Sequence, residues 1–192
     1  MGYIYFVMGK SSSGKDTIYK RLMEDKELDF KTLVGYTTRP MRQGEENGKE
    51  YFFVSEEEMK ALEDAGKVIE SRCYHTVYGD WYYFTASDGQ VNLEANDYLL
   101  IGTLESYIKV REYYGEDIVK PIYIEVEDGE RLMRAISRER QQDIPKYEEM
   151  CRRFLADCKD FAEEKVLGCG IKKRYINNDI DECIIEIIKD IM

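Results

Sequence analysis

The stretch Gly9-Lys10-Ser11-Ser12-Ser13-Gly14-Lys15 decides the fold of this chain. It follows a short apolar run that ends at Met8 and precedes a helical pattern, so it matches the strand–GxxxxGK–helix phosphate loop in both sequence and context. Glycine permits backbone conformations in which successive N–H groups point at phosphate oxygens, and the N-terminus of the following helix adds positive potential. Lys15 supplies a point charge for the β- and γ-phosphates. We therefore predict a nucleoside-triphosphate site formed by Gly9, Ser11, Ser12, Ser13, Gly14, Lys15, Asp16 and Thr17.

Asp16 departs from the phosphate-loop motif, which usually has Ser or Thr after the lysine so that a hydroxyl can bind Mg²⁺. A carboxylate is also a hard oxygen ligand that suits Mg²⁺. We therefore predict that Asp16 binds the metal directly. The alternative is that Asp16 is only an acidic first-turn residue favoured by the helix dipole.

Length and composition limit the class of partner. A chain of 192 residues with 43% apolar residues fits one domain with a buried core. The net charge of −11 argues against a nucleic-acid polymer as partner, because such a surface repels a phosphate backbone. The apolar start is too short for a secretory signal, and no run approaches the roughly 20 apolar residues of a membrane span. We expect a cytoplasmic protein that binds small molecules and no membrane; its oligomeric state stays open.

Cysteine usage predicts reduced thiols. The five cysteines form no CxxC pair, and His75 is the single histidine of the sequence. Because zinc sites need clustered Cys and His, we expect no metal–thiolate site and interpret His75 as structural or peripheral. The cysteines are Cys73, Cys151, Cys158, Cys169 and Cys183.

Strand-like runs alternate with helical patterns over most of the chain, which is typical of a parallel α/β sheet. We predict a three-layer α/β P-loop fold with a five-stranded parallel sheet. The five strands are predicted at Tyr3–Met8, Lys31–Tyr36, Tyr98–Thr103, Val119–Glu125 and Lys173–Ile176. In the last helix Ile180, Ile184, Ile187, Ile188 and Ile191 recur at spacings of three and four, so they form an apolar stripe on one face.

Two segments interrupt this pattern. Residues 36–84 indicate a small mixed α/β insert, in which Ser55 and Glu58 form a capping box before a helix that Gly66 ends. The polar stretch 138–146 contains Pro145, which favours a second helix starting nearby and hence a mobile, arginine-bearing helical lid. We place the core at 1–35, 85–133 and 155–192, the monophosphate-binding insert at 36–84 and the lid at 134–154.

A second anion site is predicted where Arg39 and Arg42 flank Pro40, because two guanidinium groups three residues apart can converge on one phosphate. Tyr51 adds a hydroxyl donor. The run Thr37-Thr38-Arg39-Pro40-Met41-Arg42-Gln43-Gly44-Glu45, continued by Asn47-Gly48-Lys49-Glu50-Tyr51-Phe52-Phe53-Val54, resembles the hallmark of the guanylate kinase family. The resemblance extends over essentially the whole chain.

The resemblance implies Mg²⁺-dependent transfer of the γ-phosphate of ATP to GMP. Glu70 would accept hydrogen bonds from N1 and the amino group of guanine, since an ionised carboxylate is a two-oxygen acceptor. Asn177 would lie in a turn beside adenine. By the same resemblance the GMP phosphate would be held by Arg39, Arg42, Tyr51 and Tyr78, and catalysis would depend on Lys15, Arg134, Arg138 and Arg153.

Four positions depart from the family pattern: Gly35, Asp80, Ile101 and Thr103. Asp80 stands where a hydroxyl would donate to guanine O6; an ionised carboxylate cannot donate, so Asp80 would suit an amino group or act through a water. Ile101 and Thr103 replace two aspartates. Two alternatives therefore stay open: a kinase for another nucleotide or phosphorylated small molecule, and a non-catalytic guanylate kinase-like binding module.

Overall fold

The computed structural model describes residues 1–42, 44–76 and 79–192. In chain order its elements are β1 (Ile4–Met8), α1 (Lys15–Glu24), β2 (Tyr36–Thr37), β3 (Phe52–Phe53), α2 (Glu56–Asp64), β4 (Val68–Thr76), β5 (Gly79–Ala86), β6 (Tyr98–Gly102), α3 (Leu104–Tyr114), β7 (Val119–Glu125), α4 (Asp128–Arg140), α5 (Tyr147–Asp160), α6 (Glu163–Gly168), β8 (Tyr175–Ile176) and α7 (Ile180–Ile191).

The central sheet is parallel and runs in the order β6-β1-β7-β8. Successive residues of a strand point to opposite faces, and both faces of β1 are buried. Phe6 packs with α3 and α6 on one face, while Val7 packs with α1 and α7 on the other. Two helical layers therefore enclose the sheet, as the sequence predicts, and the buried stripe of α7 includes Ile184 and Ile187.

The predicted five-stranded sheet is wrong in one strand. Within the described residues the central sheet has four strands, and the segment predicted at Lys31–Tyr36 contributes only an isolated bridge between Lys31 and Tyr98. Further along this segment the backbone has other partners: the Gln90 side chain bonds both backbone groups of Val34 (2.9 and 3.1 Å), and the Gly35 carbonyl accepts from Phe52 N–H of the insert (2.8 Å). The chain thus leaves the ladder after one residue and enters the insert.

The insert has its own sheet, in the order β3-β2-β5-β4, covered by α2. Strands β4 and β5 form a long antiparallel hairpin, and β4 is an edge strand. The predicted capping box is present: Glu58 N–H donates to Ser55 Oγ (3.1 Å) and Ser55 N–H donates to Glu58 Oε2 (2.8 Å). Gly66 follows the helix with φ +67°, the left-handed conformation that favours glycine at this position.

The predicted lid corresponds to parts of α4 and α5, which are joined by residues 141–146. The second of these helices begins two residues after Pro145, close to the predicted start. Among the described residues, none of the helices combines the length and apolar character needed to cross a bilayer.

Candidate active site

The phosphate loop joins β1 to α1, as the sequence predicts. Gly14 has φ +85°, and a Cβ atom at this position would lie 2.4 Å from Asn177 Nδ2, so only glycine fits. The Ser12 and Ser13 hydroxyl groups are buried, and no residue in the described part of the chain forms a hydrogen bond with them. A buried hydroxyl without a partner is costly, and phosphate oxygens would satisfy both groups.

Lys15 and Asp16 lie at the start of α1. Lys15 is largely shielded, with 19% of its side chain exposed, whereas 85% of the Asp16 side chain is exposed. Lys15 Nζ lies 3.3 Å from Asp16 Oδ2. Lys15, predicted to bind phosphate, and Asp16, predicted to bind the metal, are therefore adjacent, and the Asp16 carboxylate is open to solvent. Thr17 is also exposed.

Asn177 braces the loop from the opposite end of the chain. The Asn177 Nδ2 donates to the Ser13 backbone carbonyl (2.7 Å). The backbone carbonyl of Asn177 accepts from Arg134 Nη2 (3.1 Å). The structure therefore gives Asn177 a direct role in holding the phosphate loop. The predicted adenine contact stays a prediction.

A buried ionic network that the sequence did not indicate ties the loop to α4 and α5. Arg131 is 1% exposed; its Nε and Nη2 donate to Asp128 Oδ1 (3.0 and 2.7 Å), and its Nη1 donates to the Ser11 carbonyl (2.9 Å). Lys10 Nζ also donates to Asp128 (3.0 Å), and Ser11 N–H donates to Asp157 Oδ2 (2.8 Å). Partial burial raises the pKa of Asp128, but hydrogen bonds from Arg131 and Lys10 outweigh that effect and lower it overall.

Two of the three predicted lid arginines face the phosphate loop. Arg138 and Arg153 line a cavity of about 340 Å³ together with Ser11 and Ser12. Arg153 Nη2 is also 3.4 Å from Ser11 Oγ. Arg134 instead pairs with Glu130 (2.9 Å) and contacts the Asn177 carbonyl, so it lies beside the loop.

The second anion site forms around Arg39. This guanidinium is 4% exposed, packs over the rings of Tyr51 and Phe53, and donates to both oxygens of Glu45 (2.7 and 2.6 Å). Hydrogen bonds from the Arg39 side chain and the Arg42 backbone lower the pKa of Glu45 to about 2. Glu45 therefore occupies the fork that is predicted to bind phosphate, while the Arg42 side chain is exposed.

Glu70 lies in a cavity of about 320 Å³ between the insert and the core, which Gly35, Tyr51 and Ile101 also line. It is 7% exposed, and its Oε1 accepts from Thr85 Oγ1 (2.9 Å).

Arg72 lies two residues after Glu70 and lines the same cavity. Its Nε is 3.2 Å from Glu70 Oε2, an ion pair that is not aligned as a hydrogen bond. Sequence reasoning missed Arg72, although residues two apart on a strand share a face and could have indicated it.

Three further positions singled out in the sequence are Tyr78, Asp80 and Thr103. Tyr78 lies outside the described residues. Asp80 pairs with His75 (2.7 Å). It lies on the face of β5 opposite to Tyr83 and Thr85, which line the cavity around Glu70, the proposed acceptor cavity. The predicted contact between Asp80 and the base is untested, and this placement does not favour it. Thr103 caps α3, because its Oγ1 accepts from Ser106 N–H (3.2 Å).

Comparisons with a family model and with known proteins all identify guanylate kinases as similar to this chain. The family model described as guanylate kinase matches residues 2–163. The guanylate kinase of Caldanaerobacter subterraneus subsp. tengcongensis is 35% identical over 190 residues, which cover 97% of this chain and 84% of the relative. The Homo sapiens guanylate kinase is 31% identical over 179 residues, covering 93% of this chain and 87% of the relative.

A solved structure shows the same fold. The crystal structure of guanylate kinase from Anaplasma phagocytophilum superposes with a TM-score of 0.66 at 23% identity, covering 99% of this chain and 84% of that one. Since the family match spans most of the sequence, and relatives above 30% identity align along nearly its whole length, this chain belongs to the guanylate kinase family.

Proposed function

We propose that the protein transfers the γ-phosphoryl group of ATP to GMP, giving ADP and GDP. The observation that carries this proposal is the pair of buried hydroxyl groups of Ser12 and Ser13, which have no partner among the described residues, in a phosphate loop that retains Gly14 and Lys15. A family member that had lost nucleotide binding would have no need to keep this arrangement of groups.

In the proposed reaction an oxygen of the GMP phosphate attacks the γ-phosphorus. The new oxygen–phosphorus bond forms as the bond from the γ-phosphorus to the β–γ bridging oxygen breaks, and ADP leaves. No side-chain base is required, because the phosphate oxygen is already a nucleophile. The protein supplies position and positive charge: Lys15 on the β- and γ-phosphates, and Arg138 and Arg153 from the cavity above the loop.

Mg²⁺ is the proposed metal, with Asp16 and ATP phosphate oxygens as its ligands. One exposed carboxylate fits this ion, because Mg²⁺ keeps several waters and uses few protein ligands. When bound, the ion neutralises charge on the β- and γ-phosphates. Asp16 Oδ2 lies 3.3 Å from Lys15 Nζ, so the carboxylate would lie near the phosphates that Lys15 is proposed to bind.

On the acceptor side we propose that Glu70 accepts from N1–H and the 2-amino group of guanine. Thr85 orients this carboxylate by hydrogen bonding, and Arg72 holds its charge in a largely buried position. The acceptor phosphate would engage Arg39, Arg42, Tyr51 and Tyr78. Because Arg39 is paired with Glu45, phosphate binding requires Arg39 to share or exchange that partner.

A kinase for another phosphorylated acceptor is the second candidate. The Arg72–Glu70 ion pair favours it, since Arg72 competes with a base for one carboxylate oxygen.

A crystal structure with GMP and a non-hydrolysable ATP analogue tests the proposal. We expect the triphosphate against Lys15 and Ser13 and the guanine edge against Glu70. Two nucleotides bound in pockets that no closed arrangement can align would overturn it.

A further inference from the structure

The hairpin of β4 and β5 brings together three metal-ligating side chains that are dispersed in the sequence. Cys73 and His75 are two residues apart on β4 and therefore share a face, and Asp80 on β5 lies directly opposite His75 in the ladder. One potential ligand atom from each of the three lies within 4.8 Å of the others. Strand pairing thus brings together a Cys, a His and an Asp that no CxxC-type spacing in the sequence indicates.

We propose that Cys73, His75 and Asp80 form a binding site for a thiophilic divalent cation, with Zn²⁺ as the matching ion. A thiolate, an imidazole and a carboxylate are the three protein ligand types that Zn²⁺ uses, and three such ligands leave a fourth position for water. Hard ions such as Mg²⁺ select oxygen ligands instead. The site is separate from the phosphate loop and the acceptor cavity.

The spacing suits a tetrahedral ion. Ligand bonds of about 2.0–2.3 Å place tetrahedral ligand atoms roughly 3.3–3.8 Å apart. The three ligand atoms lie within 4.8 Å of one another, and His75 Nδ1 lies 2.7 Å from Asp80 Oδ1, so binding a tetrahedral ion requires this pair to separate by roughly 0.6 Å. All three residues are exposed, so an ion can reach them without unfolding. The net charge of −11 also favours a cation over an anion.

Neighbouring groups support the ligand set. Tyr82 lies opposite Cys73 in the ladder, so the two side chains leave the same face of the hairpin. A neighbouring polar side chain of this kind can help to orient a metal ligand, as surrounding groups commonly do in metal sites. The proposed site also gives Asp80 a role, since Asp80 lies on the face of β5 opposite to Tyr83 and Thr85 of the acceptor cavity.

Zinc binding to the reduced, metal-stripped full-length protein tests this proposal, with a chromogenic chelator as competitor. We expect one Zn²⁺ per chain, unaffected by millimolar Mg²⁺. The Cys73→Ser and His75→Gln variants should each bind Zn²⁺ about 100-fold more weakly or worse. Cys151→Ser is the matched control, since Cys151 is an exposed cysteine on α5, and it should bind like the parent.

Cobalt substitution identifies the ligands. Co²⁺ bound to the parent and to Cys151→Ser should give a sulfur-to-metal charge-transfer band that Cys73→Ser lacks. Circular dichroism and ATP binding show that each variant is folded. Equal Zn²⁺ affinity in the parent and in a Cys73→Ser/His75→Gln double variant would overturn the proposal, as would a charge-transfer band that depends on Cys151.

Discussion

The Asn177 side chain donates a 2.7 Å hydrogen bond to the Ser13 carbonyl, linking the end of β8 to the phosphate loop across 164 residues of sequence. The amide is 3% exposed, and it packs against Gly14 where no side chain fits. This contact fixes the conformation in which the loop presents its N–H groups. The C-terminal segment therefore supports the loop of the proposed nucleotide site.

Replacing Asn177 with alanine should weaken both the fold and ATP binding. A buried carbonyl without its donor costs about 1–3 kcal/mol, so we expect Asn177→Ala to lower the free energy of unfolding by that amount in urea denaturation. ATP affinity measured by calorimetry should also fall. Asn178→Ala is the control, because Asn178 is exposed, and it should change neither quantity. An Asn177→Ala protein of unchanged stability and affinity would refute the bracing role.

Replacing Glu70 with glutamine should reduce activity toward GMP specifically. A carboxamide has only one acceptor oxygen, so one of the two guanine donors loses its partner, and we expect kcat/KM for GMP to fall about 10- to 100-fold. Any slow turnover of AMP should not fall in parallel. The exposed Glu57→Gln on α2 serves as control. Equal losses with both acceptors would mean that Glu70 acts on structure and not on the base.

Asp16→Ala should raise the Mg²⁺ concentration needed for half-maximal turnover, roughly ten-fold or more if the carboxylate is a ligand. If Asp16 is only a first-turn residue of α1, its removal costs about 0.3–1 kcal/mol of stability and leaves the Mg²⁺ dependence unchanged. Glu24→Ala, at the other end of the same helix, controls for loss of negative charge. Titration of turnover with Mg²⁺ at fixed ATP separates the two outcomes.

The Arg39–Glu45 pair should make stability depend on acid pH. Because the folded protein lowers the pKa of Glu45 from its ordinary 4.5 to about 2, the stabilisation is fully present above 4.5 and is lost as the pH falls toward 2. Urea midpoints of the parent and Glu45→Gln should therefore differ most near neutral pH and converge in acid. Glu46→Gln, which removes an exposed carboxylate that pairs with Lys49, should show no such convergence. Parallel pH profiles for the parent and Glu45→Gln would contradict the assigned pairing.

Local patterns predicted the local structure well. The glycines of the phosphate loop, the Ser55–Glu58 capping box and the isoleucine stripe of α7 are each written in residues a few positions apart, and the structure places them as expected. The parallel α/β class followed from the same kind of information. The strand predicted at Lys31–Tyr36 is wrong because the partners of this segment lie elsewhere in the sequence: Gln90, 56 positions from Val34, bonds its backbone groups, and Phe52 bonds the Gly35 carbonyl.

Contacts between distant segments could not be predicted from the sequence. Lys10 meets Asp128 across 118 residues, and Ser11 meets Asp157 across 146, so no spacing rule connects them. The cluster of Cys73, His75 and Asp80 depends on the register of a hairpin, and a one-residue slip would place Asp80 on the opposite face. Family resemblance supplied Glu70 and Tyr78 as candidate acceptor residues, but it gave no indication of the Arg72–Glu70 pair.

The most direct test of the central claim is a coupled assay of ADP formation with ATP, Mg²⁺ and a panel of acceptors: GMP, dGMP, IMP, AMP, CMP and UMP. Our account predicts the highest kcat/KM with GMP, with dGMP retaining activity and IMP weaker because it lacks the 2-amino donor for Glu70. No turnover of GMP, alongside efficient turnover of another acceptor, would contradict it.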